Sequence, residues 1–271
     1  MTRLTSTRNE RVKAVAALAR RRERRATGRH LVEGPHAVGE ALAAGVVETV
    51  FIAAPQDLPP GDLEVPGGLD VPTDVEVVAV AEHVLAHLAD TATPQGIVAV
   101  ARDVTVEPVD LPADGLLVVL DRLADPGNVG GIVRTADAAG AAGVVCLAGS
   151  ADVLGPKAVR AAAGSTYHLP LAAEVEIEAL VDLVRAHSRR LVGLQARAPR
   201  SVLDLSPGHG ALALVLGSEA HGLDPRLAEH LDERVSVPMR GGAESLNVAV
   251  AAGIAIYAAA IGMGPAGDHS R

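Results

Sequence analysis

The stretch LDRLADPGNVGGIVRTADAAGAAGVVCL, residues 120–147, closes one apolar strand, turns at Asp-Pro-Gly, enters a helix and opens a second apolar strand. Two later segments also end an apolar run in glycine and polar residues: LALVLGSEAHGL from Leu212 and VSVPMRGGAESLNVAVAAGIAIY from Val235. In α/β domains ligands bind at strand ends, where glycine lets them approach the backbone closely. The three strand ends together therefore predict one composite site.

The surrounding pattern predicts two domains. Residues 115–263 alternate uniformly apolar strands with helices, which is typical of a parallel sheet covered on both faces. Residues 1–102 carry mixed helix and strand signals, including a helix at 8–25, and predict a smaller α/β domain. Residues 103–114, rich in acids and proline, are the predicted linker, and residues 264–271 are a predicted disordered tail. The fold class is thus α/β.

Composition excludes several kinds of site. The chain of 271 residues is 49% apolar but only 1% aromatic, so any RNA-binding surface lacks the aromatic stacking platforms of RRM-type modules. The single cysteine, Cys146, excludes an internal disulfide and cysteine-rich zinc sites, and its apolar surroundings predict a buried small side chain. His83 and His87 have helical spacing but no third ligand, so we predict no metal site.

Charge is distributed unevenly along the chain. The total is −9, yet residues 1–30 hold ten basic and two acidic side chains, so this segment carries +8 and the remainder −17. Arginine clusters bind phosphate backbones, and charge alone fits equally an RNA-binding segment and a solvated basic helix. The candidate RNA-binding residues in this segment are Arg8, Arg11, Arg21, Arg22, Arg25 and Arg29.

Neither end of the chain predicts a membrane protein. The first thirty residues are rich in arginine and lack an apolar signal-peptide core, which predicts a cytoplasmic protein. Residues 248–263 are uncharged, but the run is short for a membrane span and consists largely of alanine and glycine. We predict a buried helix there.

The glycine patterns exclude two common nucleotide-binding classes. Gly127, Gly130 and Gly131 do not form G-x-G-x-x-G, and the next strand ends without an acidic residue for a ribose. The chain also lacks G-x-x-x-x-G-K-[ST]. A Rossmann dehydrogenase and a P-loop NTPase are therefore excluded.

Polar residues in the three segments have structural as well as functional interpretations. Asn128 is a plausible N-cap, and Arg134 lies nearly two turns into the same helix. Glu219 follows the second strand and suits either a turn or a catalytic acid. Ser245 is the expected N-cap of the last helix, whereas Asn247 in its first turn needs a hydrogen-bond partner if buried.

The ordered motifs N-x-G-x-[IV]-x-R-T-A, [VL]-L-G-S-E-x-x-G-L and [IV]-P-M-x-x-x-x-x-S-L-N-V resemble the SpoU, or TrmH, family of RNA ribose 2′-O-methyltransferases. Residues 29–38, RHLVEGPHAV, are similar to the family's N-terminal substrate-binding domain, which has a small ribosomal-protein-like fold. Ala139 and Ala220 depart from the family's common Phe and Gly at those positions. Both departures concern fine geometry and not the polar residues.

The resemblance implies a trefoil-knotted C-terminal α/β domain that binds S-adenosyl-L-methionine and forms a homodimer. In the family Arg134 would activate the ribose hydroxyl, surrounded by the residues matching Asn128, Glu219, Ser245 and Asn247. Arg160 would contact an RNA phosphate. Cofactor contacts would come from Leu194, Gln195, Ala196, Gly217, Val237 and Leu246.

The resemblance favours ribosomal RNA as substrate, with transfer RNA as a second candidate. It does not separate routine RNA modification from a modification that confers antibiotic resistance. A different class of function also stays open, namely a non-catalytic RNA-binding or ribosome-assembly factor that retains the fold. Such a factor has no need for all five polar residues of the proposed catalytic set.

Overall fold

The computed structural model describes residues 3–56, 63–205, 211–219 and 221–262. The chain divides into two compact units, Met1–Val104 with Leu154–Tyr167, and Thr105–Val153 with His168–Arg271. The predicted second domain included Leu154–Tyr167, which the structure instead packs into the first unit. Ala220 and the predicted disordered tail lie outside the described residues.

The described residues form eleven strands and nine α-helices. The strands are β1 (Arg29–Glu33), β2 (Val47–Ala53), β3 (Glu76–Val80), β4 (Ile97–Arg102), β5 (Leu116–Asp121), β6 (Gly143–Leu147), β7 (Leu171–Val175), β8 (Arg190–Leu194), β9 (Arg200–Ser201), β10 (Leu212–Gly217) and β11 (Glu233–Ser236). The helices are α1 (Glu10–Ala17), α2 (Arg21–Thr27), α3 (Pro35–Ala43), α4 (Glu82–Leu88), α5 (Pro126–Ala138), α6 (Pro156–Ala162), α7 (Ile177–Ala186), α8 (Pro225–Ala228) and α9 (Val248–Gly262).

The first unit is built on a four-stranded mixed sheet. Its order is β1-β4-β2-β3, with β4 antiparallel to both neighbours and β2 parallel to β3. Val159 of α6 is 1% exposed and belongs to one of the hydrophobic clusters of this sheet. Tyr167 donates to or accepts from His30 of β1 at 3.0 Å. These contacts explain why Leu154–Tyr167 belongs to the first unit.

The predicted single helix at residues 8–25 is two helices. α1 ends at Ala17 and α2 begins at Arg21. The buried guanidinium of Arg24 donates to the carbonyl oxygens of Leu18 and Ala19 at 2.8 and 2.9 Å, so it satisfies backbone acceptors at the break. One arginine of the basic segment is therefore structural.

The second unit confirms the predicted parallel sheet. Seven strands run in the order β7-β6-β5-β10-β8-β11-β9, and every pairing between them is parallel. β5 and β10 are neighbours in register, so Asp121 lies opposite Gly217 where the two strands end. Cys146 of β6 is buried, as predicted. The first two glycine-studded segments therefore meet at one sheet edge.

α9 is only partly buried, which corrects the prediction of a buried helix. Ala252, Ile256 and Ala259 are fully covered, and α9 packs against α5. The opposite face exposes a row of large apolar side chains: Val250, Ile254, Tyr257 and Ile261. Within the described part of the chain, no helix is long and apolar enough to cross a membrane.

Candidate functional site

Side chains from all three glycine-studded segments meet in a hydrogen-bonded cluster. Asn128, in the first turn of α5, donates through Nδ2 to Glu219 Oε1 at 2.5 Å. Asn247, just before α9, donates through Nδ2 to Asn128 Oδ1 at 3.4 Å. Residues separated by more than ninety positions along the chain are thus joined at one end of the sheet.

The helix caps differ from the predicted ones. Asp125, and not Asn128, is the N-cap of α5, because its carboxylate accepts from Gly127 N at 2.6 Å and Pro126 takes the first helical position. Asn128 is therefore left available for Glu219.

The last helix is capped by Asn247 in place of the predicted Ser245. α9 begins at Val248, and Asn247 Oδ1 accepts from Ala249 N at 2.9 Å and from Val250 N at 3.3 Å. Asn247 is exposed and lies before the helix, so the predicted position in a buried first turn is wrong. Its one side chain both caps α9 and contacts Asn128.

A cavity of about 490 Å³ opens beside this cluster, at the ends of β8 and β10 and in the loops that follow β10 and β11. All six residues predicted to bind the cofactor line it: Leu194, Gln195, Ala196, Gly217, Val237 and Leu246. Glu219 and Ser245 also line the cavity. The predicted cofactor residues therefore share one cavity with two members of the predicted catalytic set, Glu219 and Ser245, and Asn128 contacts Glu219 from outside the lining.

Gly217 is required by the way the chain folds back on itself. A Cβ at this position would lie 2.6 Å from the carbonyl carbon of Gly222 and 2.7 Å from Leu223 N. The approach follows from a closed loop, in which the amides and carbonyls of Ser218 and Gly222 bond each other at 2.8 and 3.1 Å. Any larger residue at 217 would push this wall of the cavity outward.

The charges that line the cavity are acidic. Glu219 and Glu244 contribute carboxylates and His221 an imidazole, and the lining has neither lysine nor arginine among the described residues. The other lining residues are mostly small or apolar, such as Leu246 and Met239. The cavity suits a ligand with an apolar or aromatic part and a positive charge.

Glu244 and Met239 line the cavity but were not predicted from the sequence. Both belong to the third glycine-studded segment, in the loop between β11 and α9. Their position beside Ser245 was the available signal, since a loop after a parallel strand is where a ligand meets side chains. Residue type alone gave no reason to choose them.

Arg134 lies apart from the hydrogen-bonded cluster. Its side chain is exposed on α5, does not line the cavity, and has neither an ion-pair nor a hydrogen-bond partner among the residues that the structure describes. The guanidinium is therefore available to an external group.

The candidate RNA-binding arginines of the first unit differ in their partners. Arg8 and Arg22 are exposed, and no ion pair engages them in the described ranges. Arg11 pairs with Glu76, which lowers the pKa of that carboxyl chiefly by hydrogen bonding, and Arg29 pairs with Glu48. The remaining two lie on α2, where Arg25 is exposed and Arg21 is half-buried.

Arg160, the predicted phosphate ligand, is held by acidic neighbours within the first unit. Its Nη1 lies 2.9 Å from Asp90 Oδ2 and 3.8 Å from Glu33 Oε2. Those carboxylates compete with any phosphate. Elsewhere, no group of three or more His, Cys, Asp and Glu side chains with a metal-binding arrangement occurs in the described residues.

Comparison with known proteins identifies the family. Residues 115–257 match the model of the SpoU rRNA Methylase family, a span that contains the cavity and the cluster. The chain belongs to the SpoU family. Residues 9–99 of this SpoU protein match the MRM3-like substrate binding domain.

Relatives and solved structures align with nearly the whole chain. The SpoU protein is 35% identical to the 23S rRNA (guanosine(2553)-2′-O)-methyltransferase RlmP of Bacillus subtilis, over 95% of this chain and 98% of that protein. The crystal structure of the SpoU methyltransferase AviRb from Streptomyces viridochromogenes, in complex with the cofactor AdoMet, has a TM-score of 0.83 at 31% identity, covering 94% of this chain and 98% of that chain. An AdoMet-bound rRNA methyltransferase from Sinorhizobium meliloti has a TM-score of 0.81 at 29% identity, covering 95% and 97%.

Proposed function

We propose that this SpoU protein transfers a methyl group from S-adenosylmethionine to a ribose 2′-hydroxyl of ribosomal RNA. The observation that carries the proposal is the convergence of Asn128, Glu219 and Asn247 at the rim of the cavity. The B. subtilis relative, which covers nearly the full chain, acts on 23S rRNA and supports the same substrate class.

The cavity fits S-adenosylmethionine in size and charge. Glycine at 217 and small residues leave room beside the backbone, and the acidic lining complements a cofactor that carries a sulfonium and an ammonium group. The bound cofactor would supply a methyl group that is already activated, so catalysis reduces to positioning the ribose and removing its proton. Residues 194–196, Gly217, Val237 and Leu246 would hold it.

Arg134 would stabilise the oxyanion that develops on the ribose, or fix an adjacent phosphate. It does not serve as a literal base, because guanidinium hardly loses its proton in proteins, so the 2′-hydroxyl proton leaves to the adjacent phosphate or to water. One preorganised donor of this type contributes roughly 3 kcal/mol to the transition state. Arg134 has no partner within the described chain and does not line the cavity, which fits a site completed by a second copy.

We infer that the exposed face of α9 forms a homodimer. Val250, Ile254, Tyr257 and Ile261 are spaced at i, i+4, i+7 and i+11, so they form one apolar stripe, and Ile261 is 77% exposed. Surfaces of this kind mark protein interfaces. We also propose that the second unit has the trefoil knot that the family resemblance implies.

The dimer is tested by sedimentation of the unmodified protein and of Ile254→Asp. We expect a dimer that dissociates in the variant, because a carboxylate in an apolar interface is costly. Ala249→Asp, off the exposed stripe, is the control and should remain dimeric. An unmodified protein that sediments as a monomer at micromolar concentration contradicts the inference.

The first unit is proposed to bind RNA in the cytoplasm. The arginines of α1 and α2 lie within the match to a substrate binding domain. The strongest candidates for phosphate contacts are exposed Arg22 of α2 and exposed Arg8, which lies just before α1 and the matched residues. Their neutralisation should weaken RNA binding and lower its salt dependence.

A non-catalytic RNA-binding factor is the alternative, and two measurements separate it from the enzyme. Calorimetry should detect one S-adenosylmethionine site per chain, whereas a scaffold that lost the cofactor site gives no heat. Incubation with labelled cofactor should then transfer label to ribosomal RNA and not to transfer RNA. Label on transfer RNA alone would correct the substrate class and leave the enzyme class intact.

A further inference from the structure

Asp121 is a buried carboxylate that the proposed chemistry does not use. It ends β5, is only 1% exposed, and accepts two hydrogen bonds. Its Oδ2 accepts from the backbone amide of Asp224 at 2.6 Å, and its Oδ1 accepts from Arg122 Nε at 3.0 Å. Burying a carboxylate costs desolvation free energy, and this cost is offset only where hydrogen-bond donors are in place.

The partners of Asp121 form a network across the sheet edge. Arg122 adopts a left-handed φ of 55°, and its Nη1 lies 3.7 Å from Asp224 Oδ2. Asp224 is in turn the N-cap of α8, and the backbone hydrogen bond from Arg226 holds the pKa of its carboxyl below the usual value. Strained backbone of this kind, at a non-glycine residue, clusters at functional sites.

The network joins the two loops that form the candidate site. The loop from β5 to α5 begins at Arg122 and leads to Asn128, while the loop after β10 carries Glu219 and ends at Asp224. Six of the residues that line the cavity lie between Leu216 and Asp224: Gly217, Ser218, Glu219, His221, Gly222 and Leu223. Asp121 therefore binds the backbone at Asp224, directly after Leu223, the last of these cavity residues.

We propose that Asp121 is a positioning residue, which fixes residues 218–219 and 221–223 of the loop after β10 against β5 and so aligns Glu219 with Asn128 and shapes the cofactor wall. The catalytic consequence rests on the proposed function, whereas the effect on the loop does not. Asp121 acts through Asp224 and contacts neither the cavity nor the reacting groups.

The variant Asp121→Asn tests this role because an amide offers one acceptor oxygen where two donors need acceptors. Either the Asp224 amide or the Arg122 guanidinium must face the NH₂ group. Asp232→Asn is the matched control. Asp232 also accepts from a backbone amide, that of Leu191 at 2.7 Å. It lies directly before β11, at the end of the sheet where the strands begin and away from the cavity. At Asp232 the one oxygen of an asparagine amide can still accept this hydrogen bond from Leu191 N.

Calorimetry and hydrogen exchange give independent readouts. We expect Asp121→Asn to weaken S-adenosylmethionine binding about tenfold, the usual effect of one lost buried hydrogen bond, and to speed exchange at 218–224 while β5 and β10 keep their protection. Asp232→Asn should leave both quantities unchanged. In the unmodified protein, exchange should show the Asp224 amide, which donates to Asp121, protected far more than the amides of Glu219 and His221.

Three outcomes would overturn the role of Asp121. They are unchanged cofactor affinity and loop exchange in Asp121→Asn, faster exchange throughout the sheet, and an Asp224 amide that exchanges as fast as its loop in the unmodified protein. If the unmodified protein binds no S-adenosylmethionine, the proposed function fails, and the exchange measurement still decides whether Asp121 holds the loop.

Discussion

At the scale of single residues, the candidate site depends on Asn128 being free of a capping role. Asp125 caps α5, so the Asn128 amide donates to Glu219 and accepts from Asn247. The amide group is the one side chain of its size that offers a donor to a carboxylate and an acceptor to a second amide. This dual use predicts that neither Asp nor Ala replaces it.

Asn128→Asp should reduce methyl transfer by about a hundredfold, because a carboxylate replaces the donor that faces Glu219 and repels it. Cofactor affinity should change by less than threefold, since Asn128 does not line the cavity. Single-turnover kinetics and calorimetry measure the two quantities.

Asp125→Asn is the matched control, because an asparagine caps the helix as well as an aspartate. It should leave turnover and cofactor affinity as they are. Full activity in Asn128→Asp would show that the contact with Glu219 has no part in transfer.

The sequence indicated which segments meet in the structure better than it indicated their local geometry. The order of the three motifs was enough to bring together Asn128, Glu219 and the cavity residues. Capping could not be assigned from residue type, because Asp125 and Asn128, like Ser245 and Asn247, are both good caps and only the backbone decides between them. The partners of Arg160 depend on folding across seventy residues, so no local pattern indicates them.

At the scale of elements, α9 combines a functional N-terminus with an apolar body. Asn247 accepts from two amides that the first turn of any helix leaves without intrahelical partners. Its amide nitrogen is left to contact Asn128. The cap and the site are therefore separable by substitution.

Asn247→Ala should lower the free energy of unfolding by about 1 kcal/mol, the usual effect of a lost N-cap, and should also lower turnover. Asn247→Ser should restore most of the stability, because a hydroxyl caps the helix, but not turnover, because serine is too short to reach Asn128. Chemical denaturation and methyl-transfer assays measure the two effects. Equal recovery of both would mean that Asn247 acts only as a cap.

At the scale of the whole molecule, the chain leaves the second unit and returns to it. Leu154–Tyr167 contributes Val159 to the core of the first unit and Tyr167 to the contact with His30. Composition predicted a domain boundary near residues 103–114. It does not indicate that a later segment, Leu154–Tyr167, packs into the first unit. Long-range packing, and not local propensity, decides where this segment belongs.

Val159→Ala should destabilise the first unit by about 2 kcal/mol, from lost burial and the cavity it leaves. Hydrogen exchange should accelerate in β1, α3 and β4. Val109→Ala makes the same change at a side chain that is 79% exposed and should alter exchange nowhere. If exchange instead accelerates only in the second unit, the segment does not belong to the first.

The position of the transferred methyl group distinguishes a ribose 2′-O-methyltransferase from a base methyltransferase and from a protein without this activity. Ribosomal RNA treated with the protein and labelled S-adenosylmethionine is digested to nucleosides and analysed by mass spectrometry, with alkaline hydrolysis in parallel. We expect label on ribose, in a 2′-O-methylated nucleoside whose 3′ linkage resists alkali. Label on a base, or no transfer to any ribosomal RNA, would contradict it.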